Sequence, residues 1–398
     1  MPKLPKRAQL MPHSPIRKLV PFAEEAKRQG KKVYHINIGQ PDIPSPQNFL
    51  DAFKNHNLKV LPYGHSAGLW EYRNELVKYY ARFNINITSD EIVVTTGGSE
   101  AIIFTMMATM EPGDEVIIPE PFYTNYIGFA VEAGVKIVPV TSKVEEGFKL
   151  PPISEIEQKI NSKTRAILIC TPNNPTGYVY TREEMELLKE LVLKHDLFFF
   201  SDEVYREFIF DGAVYTSVMH LEGIEDRAIL LDSISKRYSV CGARIGCLVT
   251  HNKEILDVAL RLGQTRLSPP TMEQLAAKET VNTPQSYLDK VLTEYKKRRD
   301  VVFEELEKIP GVVAHKPQGA FYTIVKLPVK DADDFAMWLL KDFDLDGETV
   351  MLAPANGFYA TPGKGRDEVR IAFVLNVEAM RRSMEVIREA LKIYPGRI

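Results

Sequence analysis

The sequence predicts an α/β fold, a mainly parallel sheet sandwiched by helices, joined to a smaller α+β part. Three observations carry this. Short apolar runs recur at residues 115–118, 135–138, 166–170, 197–200, 228–231 and 245–249, most of them separated by segments long enough for a helix. A long helical pattern then starts at Pro284 and stops near Gly311, with proline opening and glycine closing it. Beyond residue 312 the character changes to short strands mixed with helices.

In chain order, Thr96-Gly97-Gly98-Ser99-Glu100 opens a helix-like run from Ile102 to Met110, the glycines leaving backbone N–H groups free at its start. The runs 115–118, 166–170, 197–200 and 228–231 are continuous rather than alternating, as expected of parallel strands covered on both faces. Run 197–200 includes three consecutive phenylalanines, Phe198 to Phe200. These elements place a core over roughly residues 46–285. The long helix follows, carrying Leu288, Val291, Leu292, Tyr295, Val302 and Leu306 at helical spacing. Strands are then expected at 321–325 and 369–374, and helices at 332–340 and 377–393.

With 398 residues, 44% hydrophobic, 26% charged and a formal net charge of −3, the chain has an ordinary globular composition and no polyanion-binding excess of charge. Nucleic acid is not the expected partner. The basic start leads into no apolar segment, and no uninterrupted run approaches the roughly 18 apolar residues of a membrane helix. A cytoplasmic location is expected. Cys170, Cys241 and Cys247 form neither a disulfide framework nor a metal-ligand pattern, and are expected to be small core fillers.

Chemistry concentrates in Ser233-Ile-Ser-Lys-Arg-Tyr-Ser-Val-Cys-Gly-Ala-Arg-Ile-Gly246. It places two hydroxyls, an amine and a guanidinium after the strand 228–231, at the carboxyl end where open α/β sheets bind ligands. Ser233-Ile-Ser-Lys236 also fits the S-x-x-K nucleophile pattern of serine β-lactamases, but the S-D-N and K-T-G elements those enzymes need do not occur. The full string, S-x-S-K-x-x-x-x-x-G-x-R-x-G, resembles the lysine motif of the class I aminotransferases. That resemblance implies the fold of the fold type I enzymes that depend on pyridoxal 5'-phosphate, with a seven-stranded sheet in a large domain over 46–285. A small domain made of 1–45 and 286–398 follows from it, with a linking helix at about 285–310.

The resemblance also implies roles. Lys236 joins the cofactor aldehyde through its amine, the only side chain able to make that bond, while Ser233, Ser235 and Arg244 hold the phosphate. Gly98, Ser99 and Glu100 add groups from the helix start. Tyr123, in Pro121-Phe-Tyr-Thr-Asn-Tyr126, stacks on the ring, whereas Tyr126 is expected to be a packing aromatic. Asn174, in the N-P-T-G motif, meets the ring oxygen and the substrate. Asp202 leaves a very apolar strand and pairs with the ring nitrogen, and Tyr205 bonds the ring oxygen. Tyr63, in Tyr63-Gly-His-Ser-Ala-Gly68, reaches the phosphate of a neighbouring subunit, which makes the protein a homodimer with a composite site. Gly39 and Arg370 bind the substrate carboxylate, and Pro317 to Tyr322 is a structural element.

The implied activity moves the amino group of an L-amino acid, aspartate favoured, to 2-oxoglutarate by a ping-pong mechanism. Aromatic- or alanine-type transfer is the alternative, as is a C–S lyase or synthase of the same fold. A regulator built on this fold would need an added DNA-binding segment. Aspartate needs a second cation for its distal carboxylate; Arg17, Lys18, Arg261 and Arg266 are the candidates. Pro15 and Ile16 offer an apolar wall instead.

Overall fold

A computed structural model describes residues 2–55 and 58–398. Its largest sheet has seven strands, β1 Ile92–Thr95, β2 Glu115–Glu120, β3 Lys136–Thr141, β4 Thr164–Cys170, β5 Phe198–Asp202, β6 Ala228–Ser233 and β7 Gly246–Val249. They lie in the order β1-β7-β6-β5-β4-β2-β3. All neighbours pair in parallel except β7, which runs antiparallel to both β6 and β1.

Side-chain alternation explains the layers. Ile117, Ile167, Ile169, Phe199 and Leu230 pack with Tyr72, Leu76, Tyr80 and Leu188 on one face. Val116, Ile118, Leu168, Phe200 and Leu231 pack with Ile102, Met106, Phe129 and Ala259 on the other. A strand whose odd and even residues are both covered reads as an unbroken apolar run, as β2, β4, β5, β6 and β7 do; the edge strand β3 is only partly buried and carries an exposed Lys136. Strand β1, buried but only four residues long, does not stand out because it is wedged between the Ser89–Glu91 turn and the glycine-opened helix Gly97–Thr109.

The remaining sheets join the two ends of the chain. Lys32–His35 pairs in parallel with Glu348–Met351. Tyr322–Lys326 and Glu368–Ala372 form the centre of a four-stranded antiparallel sheet. Helices Val20–Arg28, Gln285–Leu306, Ala332–Lys341 and Val377–Ile393 cover these strands through a core containing Tyr295, Val302, Phe321, Phe335, Leu339, Val350 and Ile387. Asp331 and Asn376 cap two of those helices by accepting bonds from Asp333 N and Ala379 N, the side-chain type a helix start calls for. Cys170 and Tyr205, at the ends of β4 and β5, belong to this same core, so it abuts the carboxyl edge of the large sheet. Among the described residues no helix is long and apolar enough to cross a membrane.

Candidate active site

Strands β4, β5 and β6 deliver their chemistry side by side. Cys170 is in register with Asp202, and Asp202 with Leu231, so Asn174, Asp202 and the Ser233-to-Lys236 turn emerge at one edge. A cleft of about 400 Å3 opens there, lined among others by Gly39, Gly98, Ser99, Tyr123, Asn174 and Asp202, and by Tyr205, Ser233, Ser235, Lys236, Arg244 and Arg370. Nine segments distant in sequence thus meet around one space.

Lys236 Nζ donates to the carbonyl of Gly39 at 2.9 Å and lies 3.8 Å from Cys241 Sγ. On one side of it the Ser233 and Ser235 hydroxyls bond each other at 2.8 Å, and Ser233 donates to Ile245 O. The helix Gly97–Thr109 points its uncapped start at the same corner. Main chains approach closely here: a Cβ on Gly246 would lie 2.6 Å from Gly98 N, and one on Gly97 2.3 Å from the Arg244 guanidinium. Gly97 also sits at φ +75°, where a side chain is strained. Arg244, exposed, donates to Cys241 O and has no acidic partner among the described residues.

Asp202 occupies the floor. It is buried, accepts a 2.7 Å bond from the Tyr126 hydroxyl, and has no cation beside it among the described residues. Burial pushes its carboxyl up to about 6, against the pull of that hydroxyl. Arg370, 1% exposed, is the mirror case. It donates to Asn174 Oδ1 at 3.0 Å and to Asn37 O at 2.5 Å, while its Nε has no partner. The rings of Tyr322 and Phe358 stand 4.6 and 4.8 Å from its guanidinium, and no carboxylate neutralises it among the described residues. Burial lowers its pKa. Tyr205 and Tyr322 bond through their hydroxyls at 3.0 Å, and Tyr123 stands edge-on to Tyr126 with centroids 5.5 Å apart.

A family model described as aminotransferase class I and II matches residues 31–387. The chain belongs to that family. It is 30% identical to an aspartate aminotransferase of Bacillus subtilis over 97% of this chain and 98% of that one. An aspartate aminotransferase of Thermus thermophilus, solved with maleate, superposes with a TM-score of 0.88 at 28% identity, covering 98% of this chain and 100% of that one. The alanine aminotransferase of Pyrococcus furiosus does so with a TM-score of 0.88 at 30% identity and the same coverage.

The cofactor of this aminotransferase is pyridoxal 5'-phosphate, and the site's chemistry fits it. A buried acid without a cation among the described residues suits a protonated ring nitrogen, paired hydroxyls beside a helix start and an unpaired guanidinium suit a phosphate, and a primary amine lines the same cleft. Two residues named from the sequence stand off the cleft. The Glu100 carboxylate turns back to accept from Thr96 N and pairs with Arg266 at 2.9 Å. Tyr63 is 80% exposed in the single chain.

Several site residues of the aminotransferase escaped the sequence reading. Tyr126 is not mere packing, since its hydroxyl is the main bond to Asp202. Cys241 is not a core filler either, because it is partly exposed in the cleft lining; Cys170 is buried but also lines the cleft, and Cys247 is buried. Behind the Lys236 turn, buried Asp232 accepts from Arg206, Arg237, Tyr80 and the backbone N of Ser233. Two charge-bearing residues, Asp232 just before the motif and Arg237 inside it, were the available signal. Of the candidate cations, Lys18 pairs with Asp333, Arg261 with Asp257 and Arg266 with Glu100.

Proposed function

We propose that this aminotransferase moves the amino group of L-aspartate to 2-oxoglutarate in a ping-pong cycle. The observation that carries transfer between amino and oxo acids is Arg370, a buried cation facing a cleft with no acid to balance it among the described residues; the choice of aspartate rests on likeness to aspartate aminotransferases. Leaving a charge so placed is costly, and the α-carboxylate shared by amino acids and 2-oxo acids balances it. Asn174, already bonded to Arg370, orients that carboxylate with the Gly39 backbone beside it.

Pyridoxal 5'-phosphate, when bound, supplies an aldehyde and an electron-poor ring that accepts the electrons left behind at the substrate Cα. Ser233, Ser235, Arg244, Gly98 and Ser99 would hold its phosphate, Asp202 its ring nitrogen, Tyr205 and Asn174 its ring oxygen, and Tyr123 its face. Glu100 acts from behind, fixing the helix start through Thr96. Lys236 Nζ, released from Gly39, takes the proton that leaves Cα. Tyr63 belongs to a composite site in a homodimer, and the exposed Val60, Leu61 and Trp70 around it in sequence support that arrangement. The two-domain division at about residues 45 and 285 and a cytoplasmic location complete the reading.

Alanine-type transfer is the second reading, favoured by Ile16, Ile38 and Ile102 in the cleft lining. Comparing kcat/KM for aspartate, alanine, tyrosine and phenylalanine separates the two. Aspartate is expected to lead; a preference for phenylalanine or alanine overturns the choice. Lys236→Ala is expected to cut transamination by roughly a hundred- to ten-thousand-fold or more, and appreciable residual turnover would overturn the role of Lys236.

A further inference from the structure

The cleft lining contains four cations, Arg17, Lys236, Arg244 and Arg370. Three of them have work in the reading above, on which this inference rests. The fourth, Arg17, has no acidic partner among the described residues. Its neighbour Lys18 does, turning away to Asp333, so the pair of adjacent cations is split between an internal ion pair and the cleft.

The segment that carries Arg17 is held in place by bonds that lead directly to Arg370. Asn37 Nδ2 donates to Ile16 O at 3.1 Å, and the carbonyl of the same Asn37 accepts from Arg370 Nη2. Pro15 lies against Gly357 so closely that a Cβ there would fall 2.3 Å from the Pro15 Cβ. One asparagine thus fixes the position of both arginine-bearing segments relative to each other. An arginine presented to a ligand cleft from a fixed backbone, with no protein acid to occupy it, is suited to a planar anion.

We infer that Arg17 is a specificity-determining residue that binds the second carboxylate of dicarboxylic substrates while Arg370 binds the first. Because a ping-pong enzyme receives donor and acceptor in the same space, Arg17 serves both aspartate and 2-oxoglutarate. A monocarboxylic pair, alanine and pyruvate, makes no use of it.

The test uses the holoenzyme and its Arg17→Met and Arg17→Lys variants. For Arg17→Met, the ratio of kcat/KM for aspartate to that for alanine is expected to fall by about tenfold or more, the size of a charge-assisted hydrogen bond in a partly exposed site. The ratio for 2-oxoglutarate over pyruvate falls with it, and Arg17→Lys recovers part of both. Binding of succinate relative to propionate, read by titration without turnover, shifts in the same direction. If the parent prefers aspartate but both ratios in Arg17→Met stay within about threefold of it, the inference is overturned and the aspartate reading stands. If the parent itself prefers alanine or phenylalanine, the aspartate reading falls and takes the inference with it.

Discussion

Two residues of opposite charge, Asp202 and Arg370, share one predicament: each is buried without a counter-ion among the described residues. For Asp202 the consequence can be signed. Its carboxyl ionises near about 6 in the folded chain against an ordinary value of 3.8, so the folded state holds the proton more tightly. The associated stability is fully present below pH 3.8 and is lost as pH rises through 6. A shift of about two units corresponds to about 3 kcal/mol. Asp202→Asn removes the ionisation while keeping the shape, so cofactor-free Asp202→Asn should gain on the cofactor-free parent by up to that amount between pH 4 and pH 7. Urea unfolding of both proteins at several pH values measures it, and a pH-independent difference would sink the argument. With cofactor bound the same substitution is expected to lower kcat, since a neutral amide cannot balance a protonated ring nitrogen.

The strand ends show how elements carry the site. β6 ends in Asp232 and Ser233, and the carboxylate of Asp232 is clamped by Arg206 and Arg237 with all three side chains buried. The two guanidiniums hold that carboxylate below its usual range despite burial. Its Oδ1 also takes the Ser233 N–H at 2.7 Å, which sets the direction in which the Lys236 turn leaves the strand. Arg206 extends to Glu203 at the end of β5, so the two strands that present Asp202 and Lys236 are tied behind the cleft. Asp232→Asn leaves two buried cations short of an anion, a loss of about 3–5 kcal/mol. Denaturant midpoints report that loss; a variant as stable as the parent would show that the cluster is dispensable. The motif reading reached Ser233, Ser235 and Lys236 but not this support, because pairing between Asp232 and Arg206 depends on strand neighbours that spacing does not encode.

At the scale of the molecule, the strands legible in the sequence were those with an apolar run bounded by helix-length segments, the edge strand β3 included, whereas the short β1 was not, although it is buried; the helix 377–393 was legible to the residue because Asn376 caps an amphipathic stretch. Pairing of Lys32–His35 with Glu348–Met351 was not legible from pattern, since the register joins positions more than 300 residues apart. The site followed the same rule. Lys236 and its serines are contiguous and could be read directly, whereas Tyr126 became a partner of Asp202 only once β2 and β5 were placed in one sheet. The proposed composite site is a whole-molecule matter too: light scattering is expected to give twice the chain mass, and Tyr63→Phe in the dimer is expected to weaken cofactor retention by several-fold. A monomer with full activity would remove Tyr63 from the site.

The unbalanced Arg370 has a practical side in the choice of buffer. A guanidinium that waits for any small planar anion does not distinguish a substrate carboxylate from acetate or formate. Such buffers are expected to raise the apparent KM for the amino acid without changing kcat, and inorganic phosphate to compete with the cofactor at Ser233, Ser235 and Arg244. Substrate preferences measured in carboxylate-free, phosphate-free solution are therefore the ones that report the enzyme's own discrimination.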